Sequence, residues 1–242
     1  MISPAAIADN VSSVRERIRA AAERAGRDPG DITLIAVTKL VGTEQVRALI
    51  AAGVSEIGEN RSSELKSKLD ALQDLPRAVT WDEPIPKGTA RWHFIGHLQT
   101  NKVRDVVGRA ALIHSVDSEH LLAAVDARAG RLGLVQDVLL EANLSGETTK
   151  AGLDATGAEG LCRAAADYDN VQVRGLMTMA PLAQVEVTGP VFAEAKRLFD
   201  FLASRGYPRT RFDTLSMGMS NDFEAAVERG ATCVRVGTAL FA

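Results

Sequence analysis

The sequence holds little of what marks several protein classes. It has two cysteines, Cys162 and Cys233, far apart and in no Cys-x-x-Cys pair. That argues against a disulfide framework or a zinc ribbon and leaves both as small core residues. No apolar run reaches the ~18 residues of a membrane span, and the opening MISPAAIADN lacks the basic start and apolar stretch of a secretion signal. Charge of one sign does not accumulate: 28 basic and 31 acidic residues spread along the chain for a formal net charge of -3. There is therefore no basic stripe to track a phosphate backbone. Together the absences point to a soluble cytoplasmic protein with neither a nucleic acid nor a membrane as partner.

What is present is a chain of 242 residues, 46% hydrophobic, enough for one sizeable core. A single domain over residues 1–242 is expected. Ser3-Pro4 opens an amphipathic helix over residues 3–26, with Ile7, Val11, Val14, Ile18, Ala21 and Ala25 on one face and Gly26 as its stop. Eight β-branched runs follow: ITLIAVT (32–38), VSEIG (54–58), WHFIG (92–96), ALIHSV (111–116), VQDVLLEAN (135–143), VQVRGLM (171–177), FDTLS (212–216) and TCVRVG (232–237). Helical patterns lie between them, several closed by glycine. Strand then helix, eight times over, predicts an α/β fold, a (β/α)8 TIM barrel with an extra N-terminal helix. An open doubly wound sheet is the alternative, because strand count alone does not close a barrel. Residues 73–90 read as a long loop.

Lys39 ends the first strand, where an apolar run that would be covered on both faces gives way to an ammonium. Strand ends at the C-terminal mouth carry the chemistry of such barrels. A partly desolvated lysine there would favour the neutral amine and attack carbonyls as a Schiff-base lysine. A strand-end lysine reaching solvent fits the same position. LSMGMSND (215–222) and RVGT (235–238) end the seventh and eighth strands in glycines and hydroxyls, with a helix expected from about Asn221. That is where barrels often hold phosphate. Period-two alternation could aim Arg235 inward, where a buried guanidinium needs a carboxylate or a ring nitrogen. The set describes a phosphorylated aldehyde. His93 could line the same pocket, and with His97 it lacks a third metal ligand nearby. Lys150 reads as a solvated loop residue or a second amine, and the KSKL run (66–69) as a solvated helix face.

The stretches IAVTK, IGEN (57–60), WHFIGHLQTNK (92–102), NLSGETTKAG (143–152), RGLMTM (174–179), DTLSMGMSNDFEAAV (213–227) and VRVGTALF (234–241) resemble the pyridoxal phosphate homeostasis proteins, single-domain relatives of the barrel half of alanine racemase. The resemblance implies pyridoxal 5'-phosphate as cofactor, held as a Schiff base on Lys39. It places Asn60 beside the cofactor, Met219, Ser220, Gly237 and Thr238 on its phosphate, and Arg235 at the pyridine nitrogen. An arginine there makes the ring a weaker electron sink than an aspartate would. The chain departs from the pattern at Arg61, where members often carry tyrosine. The racemases add a β-rich domain with a tyrosine as second base, and neither Tyr168 nor Tyr207 falls at an expected strand end. The expected role is a non-catalytic, monomeric carrier that limits free pyridoxal phosphate and delivers it to apoenzymes. A pyridoxal-dependent amino acid racemase or related enzyme is the alternative, and an aldolase using Lys39 on a sugar phosphate would leave Arg235 unexplained.

Overall fold

The computed structural model describes residues 2–144, 151–181 and 185–242. Its first element is α1 (Pro4–Arg24), capped by the Ser3 hydroxyl, which accepts from the Ala6 N–H. Ile7, Val11, Val14, Ile18 and Ala21 form its buried face as the spacing requires, although the fourth-turn contact falls on Ala22 rather than Ala25. Each buried valine or isoleucine contributes at most ~1.5–3 kcal/mol of transfer free energy.

The strands are β1 (Thr33–Val37), β2 (Glu56–Glu59), β3 (Arg77–Ala78), β4 (Ala90–Phe94), β5 (Leu112–Val116), β6 (Gln136–Ala142), β7 (Val171–Thr178), β8 (Thr210–Ser216) and β9 (Cys233–Val236). All pairings among them are parallel. Between and after them lie α2 (Thr43–Ala51), α3 (Ser62–Ala71), α4 (Val103–Val106), α5 (Glu119–Leu132), α6 (Ala155–Ala164), α7 (Val185–Arg205), α8 (Phe223–Glu228) and α9 (Thr238–Phe241). The strand order closes on itself because β2 pairs with β4 as well as β1, with Gly58 opposite His93, and β1 pairs with β9, with Ile35 opposite Arg235. The eight expected strands thus form a closed parallel barrel, and the two-residue β3 adds to the side of β4. Helix α1 packs on α2, α8 and α9, and the Arg17–Glu224 pair ties it to α8. Both cysteines are free and fully buried. No helix among the described residues is long and apolar enough to cross a membrane.

Three expectations need correction. Residues 73–90 are more than a loop: after β3 the chain crosses the N-terminal end of the barrel. Trp81 packs there on Leu112, Leu139 and Met177 and meets the His93 ring edge-on at 5.5 Å. Lys68 of KSKL is not on a solvated face. It is 5% exposed, and its Nζ donates to Glu59 Oε1 and to the Thr38 carbonyl at 2.5 and 2.7 Å. Helix α7 starts ahead of Gly189-Pro190 and carries Pro190 inside it. Lys150 lies outside the described residues.

Candidate functional site

A cavity of about 720 Å³ opens at the C-terminal ends of the strands. Lys39, Asn60, Met219, Ser220, Arg235, Gly237 and Thr238 all line it, brought from β1, β2, β8 and β9 to one place. Because β1 pairs with both β2 and β9, these strand ends are neighbours only once the barrel closes.

The backbone that carries Lys39 is pinned from beneath. The Thr38 N–H donates to the Gly58 carbonyl at 2.9 Å, its hydroxyl to Glu59 Oε1 at 2.5 Å, and its carbonyl accepts from Lys68. The Lys39 side chain itself is exposed at the mouth. It is therefore not desolvated by the described residues of the barrel, as its position in the sequence suggested. Asn60 follows Glu59 directly, and its Oδ1 is buried without a hydrogen-bond partner among the described residues. An unpaired buried amide oxygen costs stability unless a donor reaches it. Gly96 lies against the Asn60 backbone so closely that a Cβ would come within 2.1 Å of the Asn60 carbonyl oxygen.

On the opposite wall, Gly218 has φ +91, and a Cβ there would meet the Ala226 Cβ at 2.5 Å. Only glycine lets this loop turn under α8. Helix α8 starts at Phe223, later than the expected Asn221, and the Asp222 carboxylate accepts from the Met219 N–H at 2.6 Å. That N–H is consequently not offered to the cavity. Burial raises the Asp222 carboxyl above the usual range. Ser220 Oγ accepts from the N–H groups of Gly237 and Ala239 at 3.1 and 3.5 Å. Its own proton is left for an acceptor elsewhere.

Arg235 is 4% exposed; its Nη1 donates to Ser216 Oγ at 2.5 Å and its Nη2 to the Thr178 carbonyl at 3.0 Å. It pairs with hydroxyl and carbonyl oxygens rather than with a carboxylate. His93, expected at the pocket, lies below it, fully buried between Glu56 and His114, and His97 lines the mouth instead. Among the described residues no cluster of His, Cys, Asp or Glu could hold a metal ion.

Sequence reading missed Glu141. It is 5% exposed and lines the cavity; its backbone carbonyl accepts from the Leu153 N–H at 2.8 Å, while its carboxylate accepts no hydrogen bond from the described residues. Burial, then the nearby Asp117 carboxylate, pushes its carboxyl up. The signal was there, since a carboxylate in VLLEAN, inside a strand covered on both faces, has no packing reason to be present.

Comparison with known proteins follows this geometry. The family described as "Alanine racemase, N-terminal domain" matches residues 2–242. The chain belongs to that class of barrel. Within it, the pyridoxal phosphate homeostasis protein of Aquifex aeolicus is 42% identical over 234 residues, 96% of either chain, and that of Pseudomonas aeruginosa 38% identical over 238 residues, 97% of this chain and 94% of the other. PipY of Synechococcus elongatus, solved with PLP bound, superposes with a TM-score of 0.81 at 35% identity, covering 98% of this chain and all of PipY. The alanine racemase of Corynebacterium glutamicum shares the fold alone, at 18% identity and a TM-score of 0.69, with 60% of its length covered. The chain is a member of the pyridoxal phosphate homeostasis protein family.

Proposed function

We propose that this protein binds pyridoxal 5'-phosphate in the C-terminal mouth of its barrel and works as a carrier that holds down free cofactor and hands it to apoenzymes. The observation that carries the reading is the convergence of an amine, a buried guanidinium, hydroxyls and an unpaired buried amide oxygen on one cavity. The donor set fits the cofactor: a phosphate suits the Ser220 and Thr238 hydroxyls, a ring nitrogen suits Arg235, and Asn60 Oδ1 lacks, among the described residues, a donor that a ligand could bring; the Gly237 N–H is already given to Ser220 Oγ. When bound, the cofactor supplies an aldehyde that condenses reversibly with amines. Lys39 supplies the amine for that covalent link, and the Thr38–Glu59–Lys68 network fixes the backbone from which it reaches.

The chain's two tyrosines turn their hydroxyls to Glu119 and Glu159 on the outer helices, so neither serves as a second base at the mouth. That favours a non-catalytic carrier. One observation favours the second reading, a pyridoxal-dependent enzyme acting on amino acids: Glu141 places a carboxyl with a raised pKa in the same cavity, the property of a general acid or base.

The test is to add pyridoxal phosphate, reduce with borohydride and map the modified peptide in wild type and Lys39→Ala. A single adduct on Lys39, absent from the variant, is expected. Labelling scattered over surface lysines would overturn the site. Exchange of the α-proton of alanine with deuterated solvent, lost in Glu141→Gln, would replace the carrier reading with the enzymatic one.

A further inference from the structure

Arg235 of the ligand set and four polar side chains outside it form an unbroken line through the barrel lumen. From the mouth downward, Arg235 Nη1 lies 2.5 Å from Ser216 Oγ, which lies 3.0 Å from His114 Nδ1. His114 Nε2 lies 3.1 Å from His93 Nδ1, and His93 Nε2 lies 2.8 Å from Glu56 Oε2 at the N-terminal end. The links join β9 to β8, cross the lumen from β8 to β5, and return through β4 to β2. His93, His114 and Ser216 are fully buried.

We infer that Glu56, His93, His114 and Ser216 form a one-way hydrogen-bond chain that positions Arg235, with every proton donated from the mouth toward the floor. The direction is set at both ends. A guanidinium has only donors, so Ser216 Oγ must accept from Arg235, and its own proton goes to His114 Nδ1. Burial, then the neighbouring His93 and Arg235, hold His114 well below its ordinary pKa, so the ring stays neutral. With Nδ1 accepting, the His114 proton sits on Nε2 and is donated to His93 Nδ1. His93 then carries its proton on Nε2 and donates it to the Glu56 carboxylate. The other Glu56 oxygen takes Arg91 Nη1 at 3.2 Å, which keeps this end anionic.

The competing arrangement puts one more proton on His93. It would reverse both links above it and turn the Ser216 hydroxyl toward the thiol of Cys233, the remaining neighbour of that oxygen. The groups facing His93 are Glu56, Trp81 and His114, with Arg91 bound to the same carboxylate; those facing His114 are His93 and Ser216, with Arg235 beyond. A third buried cation would stand between Arg91, which already shares its only anion, Glu56, and Arg235 above, which favours the arrangement with one proton on each ring.

The consequence for a ligand rests on the pyridoxal phosphate reading; the chain itself does not. Two N–H groups of Arg235 are committed below, to Ser216 and Thr178, so the orientation of the guanidinium at the cavity wall is fixed before any ring nitrogen arrives. Glu56, His93, His114 and Ser216 are positioning residues.

The first measurement is the tautomer of each ring by long-range proton–nitrogen correlation on the nitrogen-15-labelled protein without ligand. One proton on each ring, on His114 Nε2 and on His93 Nε2, with both Nδ1 atoms accepting, is expected. An imidazolium at His93 or a proton on His114 Nδ1 overturns the direction. Pyridoxal phosphate is then titrated into wild type, Ser216→Ala and Ser216→Thr. Ser216→Ala should bind about tenfold more weakly with a shifted cofactor absorption band, and the hydroxyl of Ser216→Thr should restore both. Equal binding by Ser216→Ala and wild type overturns the positioning role. Failure of wild type to bind removes the cofactor reading and leaves the tautomer result standing. Glu56→Leu, far from the cavity, repeats the test from the other end and keeps it open if Ser216→Ala does not fold: the His114 ring signals should move and binding weaken at least threefold, and unmoved His114 signals overturn the chain.

Discussion

At the N-terminal end of the barrel Arg174 is surrounded by Asp82, Asp137 and Asp213 at 2.8, 3.4 and 2.7 Å, and Arg91 lies between Glu56 and the face of Trp81. At the C-terminal end Lys39 is in solvent, and among the described residues the Glu141 carboxylate has no donor and Asn60 Oδ1 is buried and unpaired. Both ends draw on the same residue types. The floor pairs most of its charged groups internally, Arg91 Nε excepted, and is covered by the 79–89 segment; the mouth groups face open cavity. Strand β6 shows the contrast on a single face: Asp137 at the floor meets a guanidinium, Leu139 fills the middle, and Glu141 at the mouth meets open cavity. Groups paired within the fold and groups that line the cavity are thus separated by the length of one strand.

If that division holds, substitutions at the two ends should affect different properties. A large effect on stability is expected from Arg174→Met, which leaves facing carboxylates without their cation. Denaturant unfolding should show a loss of about 3 kcal/mol, below the full range for a buried pair because Asp82 and Asp213 are partly exposed. Pyridoxal phosphate affinity of the folded fraction should hardly change. Lys68→Met should cost a similar amount, about 3–5 kcal/mol, and should also weaken binding, because Lys68 supports both Glu59 and the Thr38 carbonyl. It is the one substitution expected to cross the division. Lys39→Ala should leave the unfolding midpoint almost unchanged, within about 0.5 kcal/mol for an exposed side chain, while abolishing the borohydride-fixed adduct.

The smallest effect separates the ends by pH. The Asp82 carboxyl is held below its usual range by hydrogen bonds from Arg174, so its contribution is present at neutral pH and is lost as pH falls through the folded value. Glu141 is shifted the other way by burial. In the window between its unfolded and raised folded values the folded state binds more protons, so stability falls as pH rises through it. Glu141→Gln should therefore raise the melting temperature more at pH 8 than at pH 4, by a few degrees at most, and a rise that is equal at both would show that Glu141 is stabilised by more than its burial suggests.

The floor was nearly invisible in the sequence, and the mouth was not. Lys39, Ser220, Gly237 and Thr238 could be read because chemistry at a strand end breaks a local pattern: an ammonium closes an apolar run, and glycines and hydroxyls cluster before a helix; Met219 and Asn60 came only from the family resemblance. Residues 73–90 offered no periodicity, and Trp81 acquires meaning only against Leu112, Leu139 and Met177, which come from three other strands. Lys68 was misread for the same reason. Its helix looks amphipathic with lysines outward, and the partner that draws one of them inside, Glu59, sits at the end of a neighbouring strand. His93 was assigned to the pocket by strand parity with Ile95, but β4 ends at Phe94 and the strict alternation stops there.

By itself the sequence determined the eight strands, the helices between most of them, the capped first helix and the residues at the barrel mouth. All follow from interactions within a few residues: period-two and period-3.6 burial, caps, and backbone freedom at glycine. The tertiary structure alone decided that β2 meets β4 to close the sheet, that a loop covers the floor, that Lys68 turns inward, and that Glu56, His93, His114, Ser216 and Arg235 line up across the lumen. Those depend on electrostatics and hydrogen bonding between groups as many as 102 residues apart, and a buried polar group acquires its partner only where the closed barrel brings one within reach.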